Sequence, residues 1–352
     1  MNKRIEKIQA ELKSNNIDQI IISDYYNILY FTGLKIHSGE RLLVLLVSKT
    51  GLPILFVNEL FLIKKSNDYQ LIYYNDIQDS IAELASNIKA NKIAVDHNWP
   101  SGFLLKLMGR YKAAYIDGST MISKLRAIKD IQEQAYMLQS SINNDEVMRR
   151  IKKYFKAGVS ELYIANILKA LFTEVAGDES FDAIVAFGEN GANPHAEPSE
   201  RKLKKGDSII IDMGCHHKDY CSDMTRTFFF QEKTLDNIYD VVLQANLSAI
   251  AIIKPGVLFS DIDNAARQVI EKAGYGKYFT HRTGHGIGLE VHEPFDVSSS
   301  NHREVQAGMC FSIEPGIYIE NKGGVRIEDL VLVTKDSVQV LNNYSKTDYL
   351  II

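Results

Sequence analysis

Cysteine is scarce in this chain of 352 residues: Cys215, Cys221 and Cys310 are the full set, an odd number with no CxxC pairing. That speaks against a disulfide framework and suits a reducing compartment. Long apolar runs are also missing. The strongest, LLVLLV at 42–47, falls far short of the ~18 residues that span a bilayer. The N-terminal MNKRIEKIQAELKSNN has charges between Ile5, Ile8 and Leu12, which predicts a surface helix and lacks the continuous stretch of a signal peptide. No charge of one sign dominates. The net charge is −4 and basic residues alternate with acidic ones, so no basic stripe advertises nucleic acid. Prolines number only 7 and low-complexity tracts are absent, while 45% of residues are hydrophobic, which excludes a disordered chain. A cytoplasmic globular protein is expected, with neither membrane nor nucleic acid as partner.

The length predicts about two domains. From residue 17 to about 120, β-rich runs (DQIIIS, RLLVLLV, LPILFV, QLIYY, KIAVD) alternate with helical patterns, the mark of an α/β domain. A charged helical stretch begins near Leu125, which puts the boundary between residues 1–124 and 125–352. The second part reads as helix, helix, strands, and then the same again, an α+β pattern.

Within it, IDMGCHHKDYCSDMTRT at 211–227 crowds two cysteines, two histidines and three aspartates together. A symmetric hairpin centred between His217 and Lys218 pairs Asp212 with Asp223, whose Cβ atoms would then lie roughly 5 Å apart, a repulsive arrangement unless a cation neutralises it. Ile209, Ile210 and Ile211 before Asp212, and TFFF after Asp223, make both strands read as buried. Buried carboxylates must be paired, protonated or metal-bound. The spacing of Cys215 and Cys221 matches no zinc knuckle, so both are expected to pack as small apolar groups, with His216, His217 and Asp219 at the turn tip.

Two later stretches complete a ligand set. HRTGHGIGLEVHEP at 281–294 sets His285 between Gly284 and Gly286, where missing side chains would let a ligand approach closely. FSIEPGIYIENKGGVRIEDLVLV at 311–333 reads as two strands, one bearing Glu314 and the other Glu328. Period-2 alternation puts Arg326 and Glu328 on one face and Asp329 on the other, which makes Glu328 the ligand and Asp329 a structural acid. Asp212, Asp223, His285, Glu314 and Glu328 form an oxygen-rich set suited to Mn2+-like ions, and four negative charges balance two divalent cations. Such a pair lowers the pKa of a water and polarises the carbonyl it attacks.

These stretches, with GANPHAEP, IDMG and SDMTRTFFF, resemble in order and spacing the pita-bread metallopeptidases, in the branch of Xaa-Pro dipeptidases (prolidases) and Xaa-Pro aminopeptidases. The resemblance covers roughly 125–352, and residues 1–124 resemble a creatinase-type N-terminal domain. It implies that Asp212 binds the second metal, that Asp223 and Glu328 bridge, and that His285 and Glu314 complete the first site. Glu314 is then also the proton shuttle. His195 and His292 match positions that hydrogen-bond substrate and stabilise the tetrahedral intermediate, His281 lines the proline side of the pocket, and Tyr318 and Arg326 support the metals. His37 matches a loop that reaches a second subunit. HEPFDV has one residue fewer than relatives carry there. The implied cofactors are two divalent ions, Mn2+ first, with Co2+ or Zn2+ also admitted. The implied substrates are short proline-containing peptides, and a homodimer is expected. Dipeptides are favoured over longer peptides; a non-enzymatic pita-bread binding module is the remote alternative.

Overall fold

The computed structural model describes residues 2–351. The chain divides into two compact units, 1–126 and 127–352, two residues beyond the boundary read from the helical stretch. That stretch is itself divided: one helix, Ser119–Ala127, closes the first unit, and a second, Ile131–Ile151, begins after a short break. Asp130 provides the reason. Its side chain accepts from the Gln132 and Glu133 amides while Glu133 reaches back to the Asp130 amide, a reciprocal cap that starts a new helix.

The N-terminal unit is a six-stranded mixed sheet. In spatial order its strands are Gln70–Tyr74, Ile54–Asn58, Val44–Ser48, Gln19–Ile22, Lys92–Val95 and Ala114–Asp117. The Lys3–Ser14 helix buries Ile5, Ile8 and Leu12 as its periodicity predicts. An additional helix, Tyr25–Thr32, is capped by the Asp24 side chain and ended by Gly33 at φ 73°, a left-handed conformation natural to glycine.

The C-terminal unit is built from two helix-backed sheets. In the first, Leu350–Ile351, Met224–Phe230, Ser208–Met213 and Ile184–Phe187 lie side by side. Helices Ile131–Ile151 and Glu161–Val175 pack on it through Met148, Ile164, Leu168 and Phe172. In the second, Glu293–Val297, Gly284–Gly286, Cys310–Ile313, Asp329–Val333 and Val338–Val340 are ordered in space, all antiparallel. Helices Asp236–Ala251 and Phe259–Lys272 cover it through Val242, Ala249, Ile262 and Ala266. A two-stranded ribbon, Gly316–Ile319 with Gly323–Arg326, continues from it. The repeat of helix, helix, strands is thus an architectural one. No helix among the described residues is long and apolar enough to cross a membrane.

Candidate metal centre

The hairpin that carries the two aspartates turns one residue later than expected. Its two-residue turn is Lys218–Asp219, both at positive φ (50° and 72°), with His217 paired to Tyr220 and His216 to Cys221. Asp212 therefore faces Thr225, not Asp223. Moving the centre by one residue shifts the pairing by two, and because side chains alternate with period 2 the shift leaves Asp223 on the same face as Asp212 and Thr225. The repulsive direct pair of the symmetric hairpin is replaced by a diagonal one.

The remaining acids sit where strands break. Glu314 lies between Cys310–Ile313 and Gly316–Ile319, and Glu328 between Gly323–Arg326 and Asp329–Val333. Each expected strand is in fact two strands in different sheets, and the side chain at each junction is the glutamate. Main-chain bonds from the Glu314 amide to Thr283 O (2.8 Å) and from the Glu328 amide to Thr225 O (3.1 Å) fix both junctions. His285 sits in the short central strand. The glycines beside it let neighbouring strands come close: a Cβ on Gly284 would collide with Ser312 O, and one on Gly286 would lie 2.7 Å from Glu293 O.

Asp212, Asp223, His285, Glu314 and Glu328 all line one cavity of about 550 Å3, with His195, His281, Arg282, His292 and Arg326, and an apolar wall of Phe181, Ile184 and Val291. Asp223, His285 and Glu328 can place one ligand atom each within 4.8 Å of one another. His285 Nε2 stands 3.7 Å from Asp223 Oδ2 and 3.4 Å from Glu314 Oε1. Its Nδ1 is 3.1 Å from Gly286 O, the position of a donor, so Nε2 is left with a lone pair facing the acids. Burial and the nearby His292 hold its pKa down to about 3, which keeps the ring neutral and able to ligate.

The carboxyls are shifted the other way. Burial, then repulsion from neighbouring acids, raises Asp223 and Glu328 well above the ordinary range, and burial pushes Glu314 up to about 7. Asp212 Oδ1, Asp223 Oδ1 and Glu328 Oε1 are buried without a hydrogen-bond partner. Orphaned anionic oxygens of this kind are costly unless a cation satisfies them. The donor set therefore fits hard divalent ions, which take oxygen ligands and one imidazole.

Around this set, Arg326 donates from Nη2 to Asp212 Oδ2 at 2.6 Å, from Nη1 to Tyr318 Oη at 3.0 Å and to Pro194 O at 3.1 Å. Tyr318, with burial raising its phenol to about 12, donates in turn to His281 Nε2 at 2.9 Å, since His281 Nδ1 is turned to Arg282 O. Tyr318 thus stands behind His281 and Arg326 rather than on the cavity wall. Asp329 points to the opposite face and is fully buried between Arg226 (2.8 Å) and Lys346 (2.6 Å). Although burial raises its pKa, those two cations outweigh it and hold the carboxyl below its usual value. His37 belongs to the N-terminal unit, where its ring stacks on Tyr25 at 4.3 Å. Cys215 and Cys221 are buried free thiols, both pushed up chiefly by burial, and Cys215 is bonded within a Ser140–Ser222 pocket. Because His216 and His217 lie in the small hairpin and outside the cavity lining, His216→Ala is expected to leave bound metal within about twofold of the parent. Metal analysis of the purified variant checks this.

One residue at the site has no role assigned from the sequence. Thr225, within the SDMTRTFFF stretch, bonds directly to Glu328, and its period-2 relation to Asp223 is the signal that puts it on the site's face.

The Metallopeptidase family M24 profile matches residues 135–335, and that of the Creatinase/Prolidase N-terminal domain matches 4–128. An uncharacterized peptidase of Staphylococcus aureus strain USA300 is 37% identical over 349 residues, spanning 97% of this chain and 99% of the relative. Among solved structures, a dipeptidase from Pyrococcus horikoshii OT3 superposes with a TM-score of 0.93 at 37% identity, covering 99% of this chain and 100% of that one. A recombinant prolidase from Thermococcus sibiricus does so with a TM-score of 0.92 at 33% identity over 100% of both chains.

Proposed function

Since the chain belongs to metallopeptidase family M24, we propose that it hydrolyses, with two divalent metal ions, the peptide bond preceding proline in Xaa-Pro dipeptides. The fold is the expected pair, a creatinase-type N-terminal unit and a pita-bread catalytic unit. The observation that carries the reading is the meeting, in one cavity, of four carboxyls and a neutral imidazole with three buried carboxylate oxygens left unpartnered. Asp212, Asp223, His285, Glu314 and Glu328 would hold the ions, Mn2+ on the strength of the oxygen-rich set. When bound, such ions lower the pKa of a water and polarise the scissile carbonyl.

The chain's own groups supply the rest. Glu314 takes a proton from the attacking water and passes it to the leaving amine. His195 and His292, on the cavity wall, donate to the carbonyl oxygen as charge develops there. His281 has its Nε2 engaged by Tyr318 and so acts as a wall for the proline side rather than as a proton donor from that nitrogen. Arg326 holds Asp212 and, through Pro194 O, the loop that presents His195. A homodimer, with His37 reaching the second copy, and a cytoplasmic location belong to the same proposal; sedimentation of the purified protein checks the first.

The test is turnover of Leu-Pro beside Leu-Pro-Gly by Mn2+-loaded protein, with a chelator-treated control. Cleavage of the dipeptide alone, abolished by chelation, is expected, and the named dipeptidase and prolidase among the similar structures support it. Cleavage of the tripeptide would move the reading to an Xaa-Pro aminopeptidase. Cleavage of neither would overturn it.

A further inference from the structure

We propose that Thr225 is a positioning residue of this centre, whose hydroxyl, oriented by Arg326, selects the oxygen of Glu328 that faces the metal ions. The inference rests on the metal-centre reading above and deepens it.

Thr225 is fully buried on the Met224–Phe230 strand, directly opposite Asp212. A hydroxyl has a single proton to give and two lone pairs to offer, whereas a guanidinium can only donate. Arg326 Nε lies 3.1 Å from Thr225 Oγ1, so the oxygen must accept there. Its one proton is then left for Glu328 Oε2, at 2.7 Å. The direction of the whole chain of bonds is determined by the chemistry of its first member.

The same guanidinium donates through Nη2 to Asp212 Oδ2 at 2.6 Å. One cation thus ties down one oxygen of each of two acids, directly for Asp212 and through the Thr225 hydroxyl for Glu328. The other oxygen of each, Asp212 Oδ1 and Glu328 Oε1, is buried and has no hydrogen-bond partner. Both residues line the cavity. The two acids are therefore held with complementary geometry, one oxygen anchored to the protein and one available.

A purely structural role for the hydroxyl is a poor account of these contacts. The strand crossing is already held by the main chain, since the Glu328 amide donates to Thr225 O at 3.1 Å. The neighbouring Thr227 hydroxyl separately bonds both the amide and the carbonyl of Arg326. Deleting the Thr225 hydroxyl leaves those bonds intact and removes the constraint on the Glu328 terminal torsion together with the acceptor that orients Arg326 Nε. Hydrogen-bond partners of metal ligands contribute roughly 10–100-fold to metal affinity.

The experiment is calorimetric titration of chelator-stripped protein with Mn2+ alone, on the parent, Thr225→Val and Thr225→Ser, with circular dichroism of each. Val keeps the branched shape without the hydroxyl; Ser keeps the hydroxyl without the methyl. A Val variant that is folded and binds Mn2+ about 10–100-fold more weakly, with Ser within about threefold of the parent, is the expected result. A folded Val variant that binds within threefold of the parent would overturn the proposal, as would a Ser variant weakened as much as Val, which would assign the effect to the methyl. Should Val not fold, Thr225→Ala replaces it against the same threshold. A parent that binds no Mn2+ would instead overturn the metal-centre reading itself, and this proposal with it.

Discussion

Glu328→Gln is expected to lower turnover and bound metal by more than the roughly 10–100-fold that follows loss of a ligand's hydrogen-bond partner, because it removes the ligand itself. The physical reason is specific to the contacts. Gln has the shape of Glu, and its amide oxygen can still accept the Thr225 hydroxyl proton that now goes to Oε2. Satisfying that bond leaves the NH2 group at the position of Oε1, among the ligand atoms that Asp223 and His285 bring within 4.8 Å of Glu328. A neutral NH2 is no ligand for a hard cation, and one of four balancing charges is lost. Asp212→Asn should behave alike, since Arg326 Nη2 would claim the amide oxygen as it now claims Oδ2. Metal content by elemental analysis and Leu-Pro turnover, on variants whose circular dichroism matches the parent, decide the matter. Full activity with full metal loading in either variant would remove that residue from the ligand set.

Lys129→Met should produce the largest loss of stability. Lys129 Nζ and Glu293 Oε2 are 3.1 Å apart, with both side chains only 2% exposed. Breaking such a pair from one side strands a charge in the interior and costs about 3–5 kcal/mol. Each kcal/mol moves the midpoint by about 2–4 °C in a unit of 150–250 residues, so a drop of about 6–20 °C is expected. Glu293 would not relax easily: its other oxygen accepts from the Leu289 amide at 3.0 Å, and a Cβ on Gly288 would lie only 2.7 Å from it. Met in place of Lys and Gln in place of Glu together should recover much of the loss, because removal of both charges is far cheaper than removal of one. Thermal unfolding followed by circular dichroism measures both. A single variant that melts within a degree or two of the parent would show the pair to be energetically idle.

Period was the most informative property of the sequence. It puts Asp212, Asp223 and Thr225 on one face whichever of the two hairpin centres is chosen, and it separates Glu328 from Asp329, which the structure sets between Arg226 and Lys346. The register itself was not legible, because a hairpin's centre depends on which residues can adopt positive φ, and Lys218 and Asp219 do so without glycine. The Tyr25–Thr32 helix was missed for a related reason. YYNILYFT is apolar nearly all round, so it shows neither a helical stripe nor strand alternation, and its caps, Asp24 and Gly33, are the only local signals. The breaks at Glu314 and Glu328 fall within segments that read as single strands, and the main chain there is held by partners such as Thr283 O and Thr225 O that are distant in sequence. The close approach of the adjoining strands to Gly284 and Gly286 is likewise invisible in the sequence, because Ser312 and Glu293 meet them only when the sheet forms. Side chains that act through others, Thr225 above all, show their partners only once the strands are paired.

The two strand breaks have a consequence for the life of the chain before it is complete. Glu314 and Glu328 reach the cavity only from points where one sheet hands over to another, and Asp212 and Asp223 come from a hairpin in the opposite sheet. None of the local pieces, a hairpin, a helix pair or a single sheet, contains more than part of the cavity. Closing such long stretches of chain is entropically costly and yields its return only when both sheets have met. A chain whose two C-terminal sheets have not yet met therefore lacks the complete ligand set, and the site comes into being only with the fold of that whole unit.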